Sequence, residues 1–298
     1  MAPAAAGAVS ALFDNEFLAS LEKLSLMTKR ARASGDRGTR RGARRGASVE
    51  FADHRSYEPG DDYRRIDWNL YARLSKLFIK LYVEEVDLTL SVAVDASGSM
   101  AFGTPSKFDT ARRIAAALGY VALSGLDRVR IGVASESGYA GFGPARGKRQ
   151  IFGIFRFLEQ ATAQGLSDLT KVVAEQKPGG GGVTVLVSDF LSPTGPSDAV
   201  YRLLGARQRV VLLQVLAPEE IDPELYGDFL LVDSETGAPI EVTAGPRILA
   251  AYKANLRRLQ AELASFSKQG PVTFVPVPSD VDVVDLMLST LPKALVLR

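Results

Sequence analysis

The chain has 298 residues, 46% of them hydrophobic, with 36 Lys and Arg against 34 Asp and Glu. That is enough apolar material for one large core, or one core with a small appended domain, and the near balance of charge excludes a general preference for nucleic acid or anionic membrane. There is no Cys to build a disulfide framework, and no stretch approaches the ~18 uncharged apolar residues a spanning helix needs, so the chain reads as soluble and cytoplasmic.

The first eight residues are small and apolar but lack a basic n-region, and Asp14 and Glu16 interrupt any signal-like run. Leu12, Phe13, Phe17, Leu21, Leu24 and Met27 recur at helical spacing and predict an amphipathic helix from about Asp14 to Lys29, docked on the main body. Lys29 to Arg45 then carries eight basic residues against Asp36, with several Gly and no aromatics. Single-strand nucleic-acid sites interleave aromatics for base stacking, so this tract reads as a mobile linker or a contact for an acidic partner.

From Val49 the texture changes. Pro59-Gly60 suits the centre of a type II turn, and Phe78 to Val83 alternates as a strand. Arg55, Asp61, Asp62, Arg64, Asp67 and Arg73 surround the lone Trp68 and read as a structural network, with guanidinium and carboxylate groups satisfied under an aromatic cover.

The remainder alternates strand and helix, which calls for a mostly parallel sheet. Leu88 to Val94 is its first buried strand. Ser106 and Asp109 open a helix that turns Phe108, Ala111, Ala115, Leu118 and Ala122 inward. Val129 to Ser135 is a strand, and Tyr139 to Phe142 an antiparallel return at the edge. Helices at about 148–160 and 168–176 lead to the strand Val183 to Val187, a helix near 197–207 and the strand Val210 to Val215. Phe229 to Val242 is a hairpin turned at Glu235, Thr236 and Gly237. A helix over about 247–268, the strand Val272 to Val277 and a helix over about 281–290 close the chain.

Asp95, Ser97 and Ser99 form a DxSxS pattern at the end of the first buried strand, and Asp189 follows another. Ligands of such sheets bind beyond the carboxyl ends of the strands. Carboxylate and hydroxyl oxygens suit Mg²⁺, or Mn²⁺ or Ca²⁺, rather than softer ions, and the chain holds a single His. Ser167, at the start of a helix, adds another hydroxyl, with Thr170 and Thr162 as alternatives. The bland alternative is that Asp95 and Ser97 cap a helix or satisfy loop amides.

Other candidates are weaker. Gly179 to Gly182 precedes its strand, whereas a phosphate-binding glycine turn follows one, so it reads as a connection. His54 has no Cys or His partner nearby in sequence, and no GxSxG elbow surrounds Ser97 or Ser99. A phosphohydrolase loop would want a second acid two residues after Asp95, where Ser97 stands. The residues by themselves offer no convincing catalytic constellation, and Mg-dependent phosphohydrolase and nucleic-acid binding through 29–45 stand as the alternatives to a binding module.

DxSxS, a mid-chain hydroxyl and a later strand-end Asp resemble the metal-ion-dependent adhesion site of von Willebrand factor A domains. Upstream, Glu50-Phe51, Arg55-x-Tyr57-x-Pro59-Gly60-Asp61-Asp62, Arg64, Ile66-Asp67-Trp68, Ala72-Arg73 and Glu84-Glu85 resemble the bacterial family called domain of unknown function 58 (DUF58), over about residues 40 to 292. The resemblance implies a doubly wound, mostly parallel six-stranded, Rossmann-like α/β domain over 87–298, with a hairpin insertion at about 228–243 and an N-terminal helix and strand extension over 1–86. It also implies a cation held by Asp95, Ser97, Ser99, Ser167 and Asp189, with an open position for an acidic residue of a client. A MoxR-type AAA+ ATPase is the partner it implies, because members are commonly encoded beside one. No membrane span and no specific nucleic acid are expected.

Overall fold

A computed structural model of the chain describes residues 12–34, 49–84, 89–125, 127–177, 181–192 and 195–291, with the backbone alone at 25–34, 49–53 and 81–84. They form two compact units, one of 12–34 with 89–291 and the other of 49–84. The N-terminal extension expected over 1–86 is thereby divided, since its helix belongs to the large unit. Among the described residues no helix is long and apolar enough to cross a membrane.

Helix α1, Asn15–Ser34, starts where Asp14 Oδ1 accepts the Phe17 N–H at 2.7 Å. It runs past Lys29 into the basic tract, of which residues 35–45 lie outside the described residues. Phe17, Leu21 and Leu24 are buried, and Phe13 stacks on Phe155 with ring centroids 4.6 Å apart, which fastens α1 to the large unit.

In the small unit, β1 (Val49–Ser56) pairs antiparallel with β2 (Phe78–Glu84), and α2 (Trp68–Leu74) lies between them in sequence. Gly60 has φ +109°, and the Asp61 N–H donates to the Glu58 carbonyl at 3.0 Å, as a type II turn at Pro59-Gly60 requires. Arg55 pairs with Asp61 at 2.7 Å. The other acids go mainly to backbone: Asp62 accepts the Arg64 N–H, and Asp67 caps α2 by accepting from Asn69 and Leu70. Of the expected aromatic cover, Tyr63, Trp68 and Tyr71 are all exposed, and the one guanidinium of the network over such a ring among the described residues is Arg64, 6.0 Å from the centre of Tyr63.

The large unit follows in chain order as β3 (Thr89–Asp95), α3 (Lys107–Ser124), β4 (Arg128–Ser135), β5 (Gly138–Arg146), α4 (Ile151–Gln160), α5 (Leu169–Gln176) and β6 (Val183–Ser188). Then come α6 (Ser197–Gly205), β7 (Arg209–Leu216), the single turn α7 (Pro218–Ile221), β8 (Gly227–Val232), β9 (Pro239–Ala244), α8 (Pro246–Ser265), β10 (Val272–Pro278) and α9 (Val283–Asp285). The expected closing helix is α9 continued by a π-helical stretch, Leu286–Thr290. Gly179 and Gly180 lie outside the described residues.

Six strands form one sheet in the order β10-β7-β6-β3-β4-β5, parallel except for β5, which returns antiparallel beside β4. Strand residues are apolar on both faces because both are covered. Val92, Val94, Val185, Val187, Val211 and Leu213 share a core with α1, α3, α4 and α9. Ala93, Ala134, Leu186 and Leu212 share the opposite one with α5, α6 and α8. Small residues on that second face bring α5 close: a Cβ built on Gly132 would lie 2.7 Å from both Val172 and Gln176.

From β3 the chain crosses to β4 on one side and later returns to β6 on the other. The strand order therefore reverses between β3 and β6, and a crevice opens beyond their carboxyl ends. Asp95 ends β3, and Asp189 directly follows β6.

The small unit carries its own pH dependence. The His54 hydrogen bond, at 2.9 Å, and then the Leu70 N–H and Lys80 hold the Asp67 carboxyl down from 3.8 to about 2. A depressed carboxyl stabilises the fold above its unfolded value, so this contribution is lost as pH falls from 3.8 towards about 2. Trp68, the chain's lone Trp, reports on the segment. Its fluorescence is expected to show an acid transition in that window that Asp67→Asn flattens.

Candidate metal centre

Three segments bring the oxygens together. Asp95 ends a central strand whose direction continues through the Ala96 N–H, which donates to the Ala134 carbonyl at 2.8 Å. Ser97 then opens a 3₁₀ turn, Gly98–Ala101, that is anchored by the fully buried Met100. The loop before α5 is tied alongside by two backbone bonds, Gln164 N–H to Ala96 O at 3.0 Å and Gly98 N–H to Gly165 O at 2.8 Å. This places Ser167 against Asp95, while Asp168 caps α5 by accepting the Thr170 N–H.

The Asp95 carboxylate is 5% exposed and accepts three bonds. Ser97 N–H donates to Oδ1 at 2.9 Å, Ser167 Oγ donates to the same oxygen, and Ser188 Oγ donates to Oδ2 at 2.5 Å. Burial pushes the Asp95 carboxyl up, the Ser167 and Ser188 hydroxyls counter it, and the charge of Asp189 adds to the rise. Ser97 Oγ and Ser99 Oγ are 3.0 Å apart. Asp95, Ser97, Ser167 and Asp189 line one cavity, with Ser188 and Glu235. Four of the five residues predicted for the site line this cavity, while Ser99 joins it only through its contact with Ser97, and Thr162 and Thr170 do not line it.

The donor chemistry fits a hard cation. A carboxylate has roughly four acceptor sites, of which Asp95 uses three, and each serine hydroxyl that donates its proton keeps lone pairs for an ion. Mg²⁺ is ordinarily held by one or two carboxylates plus waters. Among the described residues no group of three or more His, Cys, Asp or Glu is placed to hold a metal. Hydroxyls and water would therefore complete the shell around Asp95 and Asp189.

Several residues of the site were not legible as such in the sequence. Lys107, fully buried at the first turn of α3, pairs with Asp189 Oδ2 at 2.8 Å and with Glu220 Oε1 at 2.6 Å. Glu220 is itself fixed, since its Oε2 accepts the Ala217 N–H at 2.8 Å. A helix N-terminus repels cations, so Lys at that position is the one local sign of a buried partner. Ser188 sits beside Asp189 as a further oxygen. Glu235, apparent in the sequence only as a turn residue, reaches the cavity from the β8–β9 hairpin.

Removing one member of a buried ion pair leaves the others uncompensated. Lys107→Met is expected to destabilise the large unit by about 3–5 kcal/mol in urea unfolding. Lys107→Arg should recover part of this, because it restores the charge with a different shape.

Residues 53–262 match the family described as protein of unknown function DUF58. Over 260 residues the chain is 30% identical to Uncharacterized protein Rv1480 of Mycobacterium tuberculosis (strain ATCC 25618 / H37Rv), covering 82% of this chain and 81% of that one. Uncharacterized protein Mb1516 of Mycobacterium bovis matches with the same identity and coverage. Among solved structures the chain is similar to conserved hypothetical protein BatB from Bacteroides thetaiotaomicron, at 14% identity and TM-score 0.42, over 70% of this chain and 98% of that one. It is also similar to the SpRpn10 VWA domain, at 7% identity and TM-score 0.37, over 68% of this chain and 94% of that one. The family match runs from β1 into α8 and takes in the Arg55 to Arg73 run, Asp95, Ser167, Asp189 and the hairpin; the chain belongs to the DUF58 family, and its large unit is a six-stranded, mostly parallel α/β fold.

Proposed function

We propose that the chain is a protein-binding adaptor of the von Willebrand factor A type. It holds Mg²⁺, or Mn²⁺ or Ca²⁺, at Asp95, Ser97, Ser99, Ser167 and Asp189, and grips a carboxylate of a partner through the ion. The observation that carries this reading is the convergence of Asp95, Ser97, Ser167 and Asp189 on one cavity at the carboxyl ends of β3 and β6, where the buried Asp95 carboxyl feels the charge of Asp189. Lys107 is engaged by Asp189 and Glu220, so it answers part of that charge and leaves the Asp95 side for a cation. Family membership supports a MoxR-type AAA+ ATPase, or its client, as the partner.

A specific observation favours a second reading, a Mg²⁺-dependent phosphohydrolase. Glu235 supplies near Asp95 the carboxylic acid that the DxSxS loop lacks. Turnover of p-nitrophenyl phosphate that requires Mg²⁺ and disappears in both Asp95→Ala and Glu235→Gln would establish it in place of the adaptor.

Two measurements test the adaptor. Titration calorimetry with Mg²⁺ and Mn²⁺ is expected to give binding heat with the native chain and none with Asp95→Ala; equal heats for the two proteins would remove the cation. Co-purification with the MoxR-type ATPase is expected to be lost on adding a chelator, and complex formation indifferent to chelator would separate the partnership from the ion.

A further inference from the structure

Strands β8 and β9 make a two-stranded ribbon, with Phe229 opposite Val242 and Val232 opposite Pro239. Its body is not sunk in a core: Leu230, Val232 and Ile240 are 63%, 62% and 60% exposed. A lone two-stranded ribbon is marginally stable. The tip is another matter. Asp233 Oδ1 accepts the N–H groups of Glu235 at 2.9 Å and Thr236 at 2.7 Å, and the Gly237 N–H donates to Asp233 O at 2.8 Å with Gly237 at φ +71°. These bonds fix the direction in which Glu235 leaves the turn.

That direction is into the candidate metal centre. Glu235 lines the same cavity as Asp95, Ser97, Ser167 and Asp189. The neighbouring Ser234 carbonyl lies so close to Gly98 that a Cβ there would meet it at 2.5 Å. Burial and then the charges of Asp189, Asp95 and Asp233 push the Glu235 carboxyl up, and the Ser99 hydroxyl partly offsets them. As the tip stands, Glu235 does not close a three-acid cage with Asp95 and Asp189. It lines their cavity as a third carboxylate, brought in from outside the sheet.

We infer that Glu235 is a built-in competitor for the open position of the cation site, and that an acidic segment of a partner is gripped only when the hairpin tip withdraws. The inference rests on the cation reading above and adds the occupant of its open position. Withdrawal of the tip is inexpensive because most of the ribbon's side chains are already exposed; Phe229 and Val242 are half-buried, and Ala244, at the base away from the tip, is buried. The partner's anchor is then an Asp or Glu presented on an extended or looped segment able to take the place of residues 233–237.

The test uses the full chain at saturating Mn²⁺ and a fluorescent oligo-glutamate peptide as the probe, comparing the native protein with Glu235→Gln. A site that is open only a fraction of the time loses that fraction in apparent affinity, so a tip open about one-tenth of the time predicts roughly tenfold tighter peptide binding in the variant. Removing a charge would also help an acidic peptide at long range, but that effect is screened as the Debye length falls to about 3 Å at about 1 M salt. A gain that persists in high salt supports the inference. Equal affinities, a gain that vanishes in high salt, or a peptide that binds neither protein overturns it while leaving Mn²⁺ binding to the native chain intact. Absence of Mn²⁺ binding to the native chain, or equal Mn²⁺ binding by Asp95→Ala, overturns the cation reading and this inference together.

Discussion

A carboxylate at the end of an interior parallel strand has to be compensated where it stands. Asp95 ends a strand flanked by β4 and β6, and uncompensated burial of an ion costs roughly several kcal/mol even after relaxation. Much of the local architecture follows from that obligation. The loop before α5 is tied to the DxSxS loop by backbone bonds so that Ser167 can reach Asp95, and β6 ends on Ser188 so that a second hydroxyl reaches the other carboxylate oxygen. The close approach of α5 to Gly132 sets the height at which its preceding loop meets the end of the sheet.

Asp189 is compensated differently. Its counter-charge is Lys107, 82 positions earlier, and Lys107 is shared with Glu220, 113 positions later. Two adjacent carboxylates thus have distinct environments, one held by neutral hydroxyl donors and the other by an ammonium group. The neutral donors can turn from carboxylate to cation without a loss of net charge, whereas an ammonium cannot. In the proposed cation site this asymmetry would make Asp95 the exchangeable side and Asp189 the fixed one.

The same distances explain how much was legible in the sequence. Asp95, Ser97 and Ser99 share one turn, and Asp189 follows a strand whose apolar run is unmistakable, so local pattern found them; Ser167 needed the family pattern as well. The type II turn was legible because Pro59 and Gly60 have few other uses in tandem. Lys107, Glu220 and Glu235 were missed because each sits in a segment with a sufficient local reading, as the first residue of a helix, part of a short turn and the tip of a hairpin. Only the chain's return through α7 and the β8–β9 ribbon gives them a shared address. The acids around Trp68 fill structural roles, but alternation of Arg and Asp in a sequence does not distinguish ion pairs from caps, and both occur here.

Gly98 lies between Ser97 and Ser99, two residues of the proposed cation site. The usual reason for a glycine in a tight loop is a backbone twist, yet Gly98 is not among the positive-φ glycines. Its missing methyl is instead what lets the Ser234 carbonyl come down onto the loop. The oxygen donors and their cover are therefore coupled through one absent atom, and an alanine at this position would act as a doorstop, leaving every oxygen of the site in place while holding the hairpin ajar.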